Sequence, residues 1–164
     1  MPGRWCLTAS TIDPVITYAS IAELSRRTEL GATGWQLIDQ ARIDAFAAVT
    51  GDRQWIHVDS ARAKAESPFG GTVAHGALTL ALCVTFLTEL VHVEGVRLVV
   101  NAGLDRVRFQ APVPVGSRIR GVGALREMRS IPGGGARAVI RIRAEIEGTT
   151  RPACTADQIL AFYE

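Results

Sequence analysis

The sequence predicts an α+β domain: one long helix packed against a curved antiparallel sheet that wraps it. Three observations carry this reading. The longest apolar stretch, Ala77 to Val91, has the length of a helix and is apolar on nearly all sides, so it requires cover on nearly all sides. After Gly95 the pattern changes to strand-like runs, the clearest being Arg137 to Glu147 with its strict alternation. Helices come first along the chain and strands last. One sheet around one helix leaves a side open, and pairing with a second copy would close it, so a homodimer is expected.

Residues 1–17 read as an irregular extension and 18–164 as a single domain, with no internal repeat and no linker. Ser20-Ile21-Ala22-Glu23 has the capping-box pattern and predicts a short helix ending near Gly31. Gly34 to Ile38 reads as a short strand. Asp39 is the expected N-cap of a helix over Gln40 to Val49, in which Ile43, Phe46 and Ala47 fall at helical spacing. Thr50-Gly51-Asp52 ends that helix, and a loop is expected up to His57. Asp59 then caps a short helix over Ser60 to Glu66. Ser67 to Gly71 is a loop, and the long helix runs from Gly76 to Val91.

Val96 to Asn101 and Leu104 to Phe109 read as strand, with Gly103 the bend between them. Ala111 to Gly116 is a rigid turn holding Pro112 and Pro114. Ser117 to Met128 is a strand, and Ile131 to Gly135 a hairpin loop. In Arg137 to Glu147 the charged Arg141, Arg143, Glu145 and Glu147 share one face, opposite Ile140, Ile142 and Ile146. Arg151-Pro152 opens a last strand that reaches Phe162.

Composition narrows the function classes. The 164 residues are enough for one domain with a real core, and 48% hydrophobic with 21% charged is ordinary for a globular protein. A net charge of +2 with dispersed arginines leaves no footprint for nucleic acid. The apolar stretch falls short of the roughly 20 residues of a membrane span and carries Thr79, Thr85, Thr88 and Glu89. No secretory signal is visible. Cys6, Cys83 and Cys154 are far apart and odd in number, which implies no disulfide framework and points to a reducing compartment. A cytoplasmic protein is expected.

The chemistry concentrates in Thr50-Gly51-Asp52-Arg53-Gln54-Trp55-Ile56-His57 and in Ala74-His75-Gly76. A carboxylate and an imidazole five residues apart can hold one water, remove a proton from it and return a proton elsewhere, and histidine suits this because it titrates near neutrality. The alternative is that Asp52 caps the turn after Gly51 and His57 is a half-buried structural residue. Gly76, opening a buried helix, lets a substrate approach free backbone N–H groups that bind a developing oxyanion; the alternative is a packing glycine. His75 is a further substrate-binding candidate or a structural support, and His92 a surface residue. No metal site is expected, since neither a His-x-x-x-His pattern nor a cysteine pair is present. No Gly-x-Ser-x-Gly is present, and Gly133-Gly134-Gly135 lacks the context of a phosphate loop.

At these residues the chain resembles the MaoC-like dehydratases, the R-specific enoyl-CoA hydratases of the hotdog fold. The family pattern of a small residue, Gly-Asp-x-Asn-Pro-aliphatic-His, five residues and a small one is matched by Thr50 to His57, with Ala63 in the last position. The family's His-Gly at the head of the central helix is matched by Ala74-His75-Gly76. Val107 to Gly116 is similar to the family's strand and Pro-Val-x-x-Gly turn. The likeness covers roughly residues 35–162, and the three segments occur in the family's order. The chain departs from the pattern at Gln54-Trp55, where the family often has Asn-Pro. Gln54 keeps the amide that positions water or substrate but is one methylene longer, and Trp55 would narrow the pocket.

The resemblance implies a trans-2-enoyl-CoA or acyl-carrier-protein thioester as substrate and a place in fatty acid metabolism. Its oxygen would accept from the Gly76 N–H. Asp52 and His57 would hold the water, with Asp52 preferred as base and His57 as proton donor. No cofactor is needed, because the thioester activates its own alkene. Arg106, Arg108, Arg62 and Lys64 are candidates for the CoA phosphates. A hotdog thioesterase and a non-catalytic subunit of a heteromeric dehydratase are the rival readings.

Overall fold

The computed structural model describes residues 16–164, so most of the expected N-terminal extension, Cys6 included, lies outside the described residues. Thr17, placed by the sequence at the end of that extension, already belongs to a strand. β1 (Thr17–Tyr18) pairs in parallel with β4 (His92–Val93), just past the long helix.

Ser20 caps α1 (Ile21–Leu24): its side chain accepts from the Glu23 N–H, while the Glu23 carboxylate accepts from the Ala19 N–H. The expected run of this helix to Gly31 does not occur. The chain leaves the helix after Leu24 and forms β2 (Glu29–Ala32), which pairs with β6 (Arg118–Ser130) at Gly123 and Val122. That pairing buries Leu30, a non-local gain that outweighs the local helical pattern. β3 (Gln36–Leu37) follows within the expected short strand. Asp39 caps α2 (Gln40–Thr50) as predicted, accepting from the Arg42 N–H. The expected loop to His57 instead contains a single helical turn, α3 (Trp55–Val58), and Asp59 caps α4 (Ser60–Glu66).

The long helix is α5 (Gly76–Leu90). β5 (Leu98–Phe109) is one strand kinked twice, at Gly103 and again at Arg106, whose φ of 51° is positive. β6 (Arg118–Ser130) and β7 (Ala136–Ile146) form the hairpin around Gly133–Gly135, and β8 (Cys154–Tyr163) closes the chain. The main sheet runs in the order β2-β6-β7-β8-β5, with β3 also on β6; its pairings are antiparallel.

α5 lies against β2, β6, β7 and β8. Phe86, Cys83 and Leu87 from the helix meet Ile140, Ile142, Ala144, Cys154 and Phe162 in the core. The helix comes close because Gly121 stands on β6 under Phe86: a Cβ there would lie 2.6 Å from Phe86 Cγ. The alternation read in β7 holds, with Ile140, Ile142 and Ile146 buried and the arginines outward. The chain is thus the long helix on an antiparallel sheet that its pattern predicts. Among the described residues no helix is long and apolar enough to cross a membrane.

Candidate active site

α2 ends at Gly51, whose positive φ of 79° turns the chain sharply and presents Asp52 to solvent. Among the described residues the Asp52 carboxylate accepts only a long bond from the Gln54 N–H, at 3.3 Å. The single turn of α3 then carries His57 inward until 7% of it is exposed.

Two segments are braced against each other here. The Val73 N–H donates to the Ile56 carbonyl at 3.1 Å. His57 Nδ1–H donates to the Val73 carbonyl at 2.6 Å, and His75 Nε2–H donates to the Asp52 carbonyl at 2.9 Å. Because a carbonyl oxygen only accepts, each bond fixes a tautomer: neutral His57 keeps a lone pair on Nε2, and neutral His75 keeps one on Nδ1. The two rings stack with centroids 3.8 Å apart and planes inclined by 26°, and Phe46 packs on His75 at 5.1 Å. Gln40 Nε2 donates to the His57 carbonyl at 2.8 Å while its Oε1 accepts from the Thr72 hydroxyl at 2.6 Å.

The result is that one carboxylate oxygen of Asp52 and one ring nitrogen each of His57 and His75 lie within 4.8 Å of one another. Two hydrogen bonds of about 2.8 Å meeting at one oxygen span that separation, so the distance suits two groups that share one water. The same three groups are those a small cation would use, although each imidazole has one nitrogen committed to a backbone carbonyl.

Gly76 follows directly. The first bond inside α5 is Thr79 N–H to the His75 carbonyl, so the N–H groups of Gly76, Ala77 and Leu78 have no helical acceptor. His75 is the N-cap residue, but its side chain does not cap the helix; it reaches back to Asp52 instead. A pocket of about 320 Å³ opens beside Gly76, lined by Phe69, Thr79, Phe109 and Pro112 among others. The ring of Phe109 lies so close that a Cβ on residue 76 would sit 3.2 Å from it. A second, larger pocket of about 370 Å³ lies farther along α5, between Val84 and Leu87 and the strands carrying Val99, Leu160 and Phe162.

The other sequence candidates fall elsewhere. Gln54 is exposed at the N-cap of α3 and makes no side-chain cap. Trp55 is covered by the Arg62 guanidinium at 4.5 Å and is not among the residues lining the pocket at Gly76. Arg62 also pairs with Glu66. Arg106 is bound to Asp157, a buried carboxylate held below the usual range by Arg141 and, less, by Arg106. Arg108 is exposed, its guanidinium on the Val107 carbonyl, one residue before the ring that covers Gly76. Sequence reasoning missed Gln40, Thr72 and Phe109. Gln40 and Thr72 belong to no motif, Phe109 lies in the strand-and-turn segment without a role that the pattern assigns, and their contacts join segments far apart in the chain.

A family model described as MaoC like domain matches residues 23–142. The 3-hydroxyacyl-thioester dehydratase Z of Mycobacterium tuberculosis is 43% identical over 148 residues, which cover 89% of this chain and 97% of that protein. The nodulation protein N of Rhizobium meliloti is 45% identical over 132 residues, or 80% of this chain and 82% of that one. Among solved structures, the unliganded R-hydratase PhaJ1 of Pseudomonas aeruginosa superposes with a TM-score of 0.67 over 87% of this chain and 84% of that chain, at 24% identity. The fold is therefore the hotdog fold that the motifs implied. With most of its length matched to one domain model and to relatives of nearly the same extent, the chain belongs to the family of MaoC-like domains.

Proposed function

We propose that the single domain over residues 18–164 is a hydro-lyase that adds water across trans-2-enoyl thioesters to give (R)-3-hydroxyacyl thioesters, and runs the reverse dehydration. The observation that carries this is the approach of the Asp52 carboxylate to a ring nitrogen of His57, within 4.8 Å, beside the open N-terminus of α5. Family membership supports it, as does the similarity to a mycobacterial protein named for 3-hydroxyacyl-thioester dehydration.

In this reading the thioester oxygen accepts from the Gly76 N–H at the positive end of α5, which draws electron density from the alkene and makes the β-carbon electrophilic. A water sits between Asp52 and His57. The Nε2 lone pair of His57 takes a proton from it as its oxygen bonds to the β-carbon, and the imidazolium returns a proton to the α-carbon. One water is consumed, one C–O and one C–H bond form, and the enzyme regains its starting state. Asp52 holds the other hydrogen of the water and offsets the charge on the ring. This order reverses the preferred one, because Nδ1–H is engaged by the Val73 carbonyl and neutral His57 therefore offers an acceptor at Nε2. The apolar pocket along α5, ~12 Å from Gly76 at Val84 by helical rise, gives room for an acyl chain.

The domain acts as a cytoplasmic homodimer on CoA or acyl-carrier-protein thioesters, with Arg106 and Arg108 toward the phosphates. The dimer reading is supported by β5, an edge strand that pairs only with β8 among the described strands and exposes Leu98, Val99 and Val100. The deciding experiment incubates the purified protein with crotonyl-CoA. Loss of enoyl absorbance without free thiol, with an (R)-3-hydroxy product, is the expected result. Release of free thiol would instead identify a thioesterase, and no turnover at any chain length a non-catalytic subunit.

A further inference from the structure

We propose that His75 is a positioning residue, whose Nε2–H holds the backbone of Asp52 while its ring backs the ring of His57, so that the carboxylate and the His57 lone pair face one water. This rests on the hydratase reading above. His75 is 1% exposed, among the largest fully buried side chains of the chain. Its Nδ1 is buried in the interior with no hydrogen-bond partner among the described residues. A buried imidazole with an orphan acceptor is a poor space filler, and a phenyl ring beside Phe46 would fill the same room without stranding a nitrogen. What the imidazole supplies and a phenyl ring does not is a donor, and that donor meets the Asp52 carbonyl at 2.9 Å.

Two features make the bond consequential. Asp52 follows the glycine turn at Gly51, is exposed, and its side chain is anchored only by a 3.3 Å contact to Gln54 N–H. Without His75, among the described residues only that contact and a long bond from the Asp52 N–H to the Thr50 hydroxyl, at 3.4 Å, hold the residue, and neither ties it to His57. In addition, His75 is the residue immediately before Gly76, so one side chain ties the acid, the stacked imidazole and the start of α5 into one unit. The tie acts on the relative placement of three groups and touches no substrate atom, so it governs turnover more than affinity.

The test uses His75→Phe and His75→Gln in the full chain, with kcat and KM on crotonyl-CoA and the thermal midpoint measured for each. Phe keeps the packing and loses the donor; Gln keeps an N–H that reaches the same carbonyl. The expected result for Phe is a kcat about 10²-fold lower with KM within about twofold, the scale of a catalytic group misplaced by 1 Å. Gln is expected to recover at least about a tenth of the original kcat. Phe with unchanged kcat, or a folded Gln variant no better than Phe, overturns the proposal. Should Phe not fold, the Gln variant decides alone, and a folded Gln protein below about a hundredth of the original kcat overturns it. Absence of hydration in the unsubstituted protein would refute the hydratase reading itself, a result distinct from all of these.

Discussion

Asp52→Asn separates chemistry from folding better than any other change at the site. The side chain is exposed, and its one recorded acceptor role, to the Gln54 N–H at 3.3 Å, is kept by the asparagine carbonyl. Stability should therefore move by no more than about 0.5 kcal/mol. The loss in rate follows from charge. With the carboxylate within 4.8 Å of the His57 ring nitrogen, its attraction for an imidazolium formed in the transition state is about 3.5 kcal/mol at an effective dielectric of about 20, and about 1.7 kcal/mol if solvent at this open position doubles it. At about 1.4 kcal/mol per decade this is a fall of about 20- to 300-fold in kcat. Steady-state hydration of crotonyl-CoA, read beside the thermal midpoint, gives both numbers. A folded Asp52→Asn protein whose kcat stays within about threefold of the original would refute the charge argument and with it the role given to Asp52. His57→Ala is a blunter probe, because it also strands the Val73 carbonyl in the interior.

Gly121→Ala places a methyl group against Phe86 at the closest approach of α5 to β6; a cost of about 1–3 kcal/mol is expected, lowering the thermal midpoint by about 3–10 °C. Asp157, 2% exposed at its side chain and bonded by Arg141 at 2.7 and 2.8 Å, has its carboxyl held below the ordinary value by that guanidinium. A native group that binds its proton less tightly than the unfolded chain contributes stability above the unfolded value of about 4 and loses it as pH falls through the native value. Urea midpoints should thus be flat in this contribution from about pH 5 upward and fall below about pH 4, with Asp157→Asn flattening the acid limb and lowering stability at pH 7. Cys83 and Cys154 are both buried, and the Cys83 thiol is pushed up by the neighbouring Cys154 thiol and by burial. Titration with a thiol-specific disulfide reagent should find at most one reactive thiol of the three in the native protein, and all three after unfolding.

What the sequence made legible and what it hid divide along a physical line. β7 was readable because a strand with one buried face must alternate, and Ile140, Ile142 and Ile146 do so over its whole length. α5 was readable because its apolar run has the length of a helix, although the stripe of Ala77, Ala81, Thr85 and Thr88 is left exposed. The end of α1 was not, since Leu30 is claimed by pairing with β6, nearly a hundred positions later in the chain, and no local pattern announces a partner so distant. α3 was missed because one turn carries too few residues for a period. At the site the motif residues Asp52 and His57 lie within 4.8 Å of one another, but the contacts that set their geometry are out of reach of a sequence pattern. His57 and His75 are held by the carbonyls of Val73 and Asp52. A backbone carbonyl is present at every position, so it leaves no mark in the sequence. Trp55 was expected at the pocket and is covered by Arg62 instead, a cation–π contact between adjacent helices.

The two histidines show how burial alone assigns different work to one residue type. Each spends one N–H on a main-chain carbonyl, and each is left with one lone pair. For His57 the ring comes within 4.8 Å of an exposed carboxylate through one of its nitrogens, and its remaining nitrogen is not among the buried polar atoms left without a partner. For His75 the remaining nitrogen is sealed and partnerless, so it can neither take a proton from solvent nor pass one on without opening the core. Proton transfer therefore falls to His57 and alignment to His75, although the rings are stacked 3.8 Å apart. The division also accounts for the position of Gly76. A helix whose N-cap side chain turns away from its own amides leaves those amides for an incoming oxygen, and the chain has placed at that cap the one residue whose donor is needed on the opposite side, at Asp52.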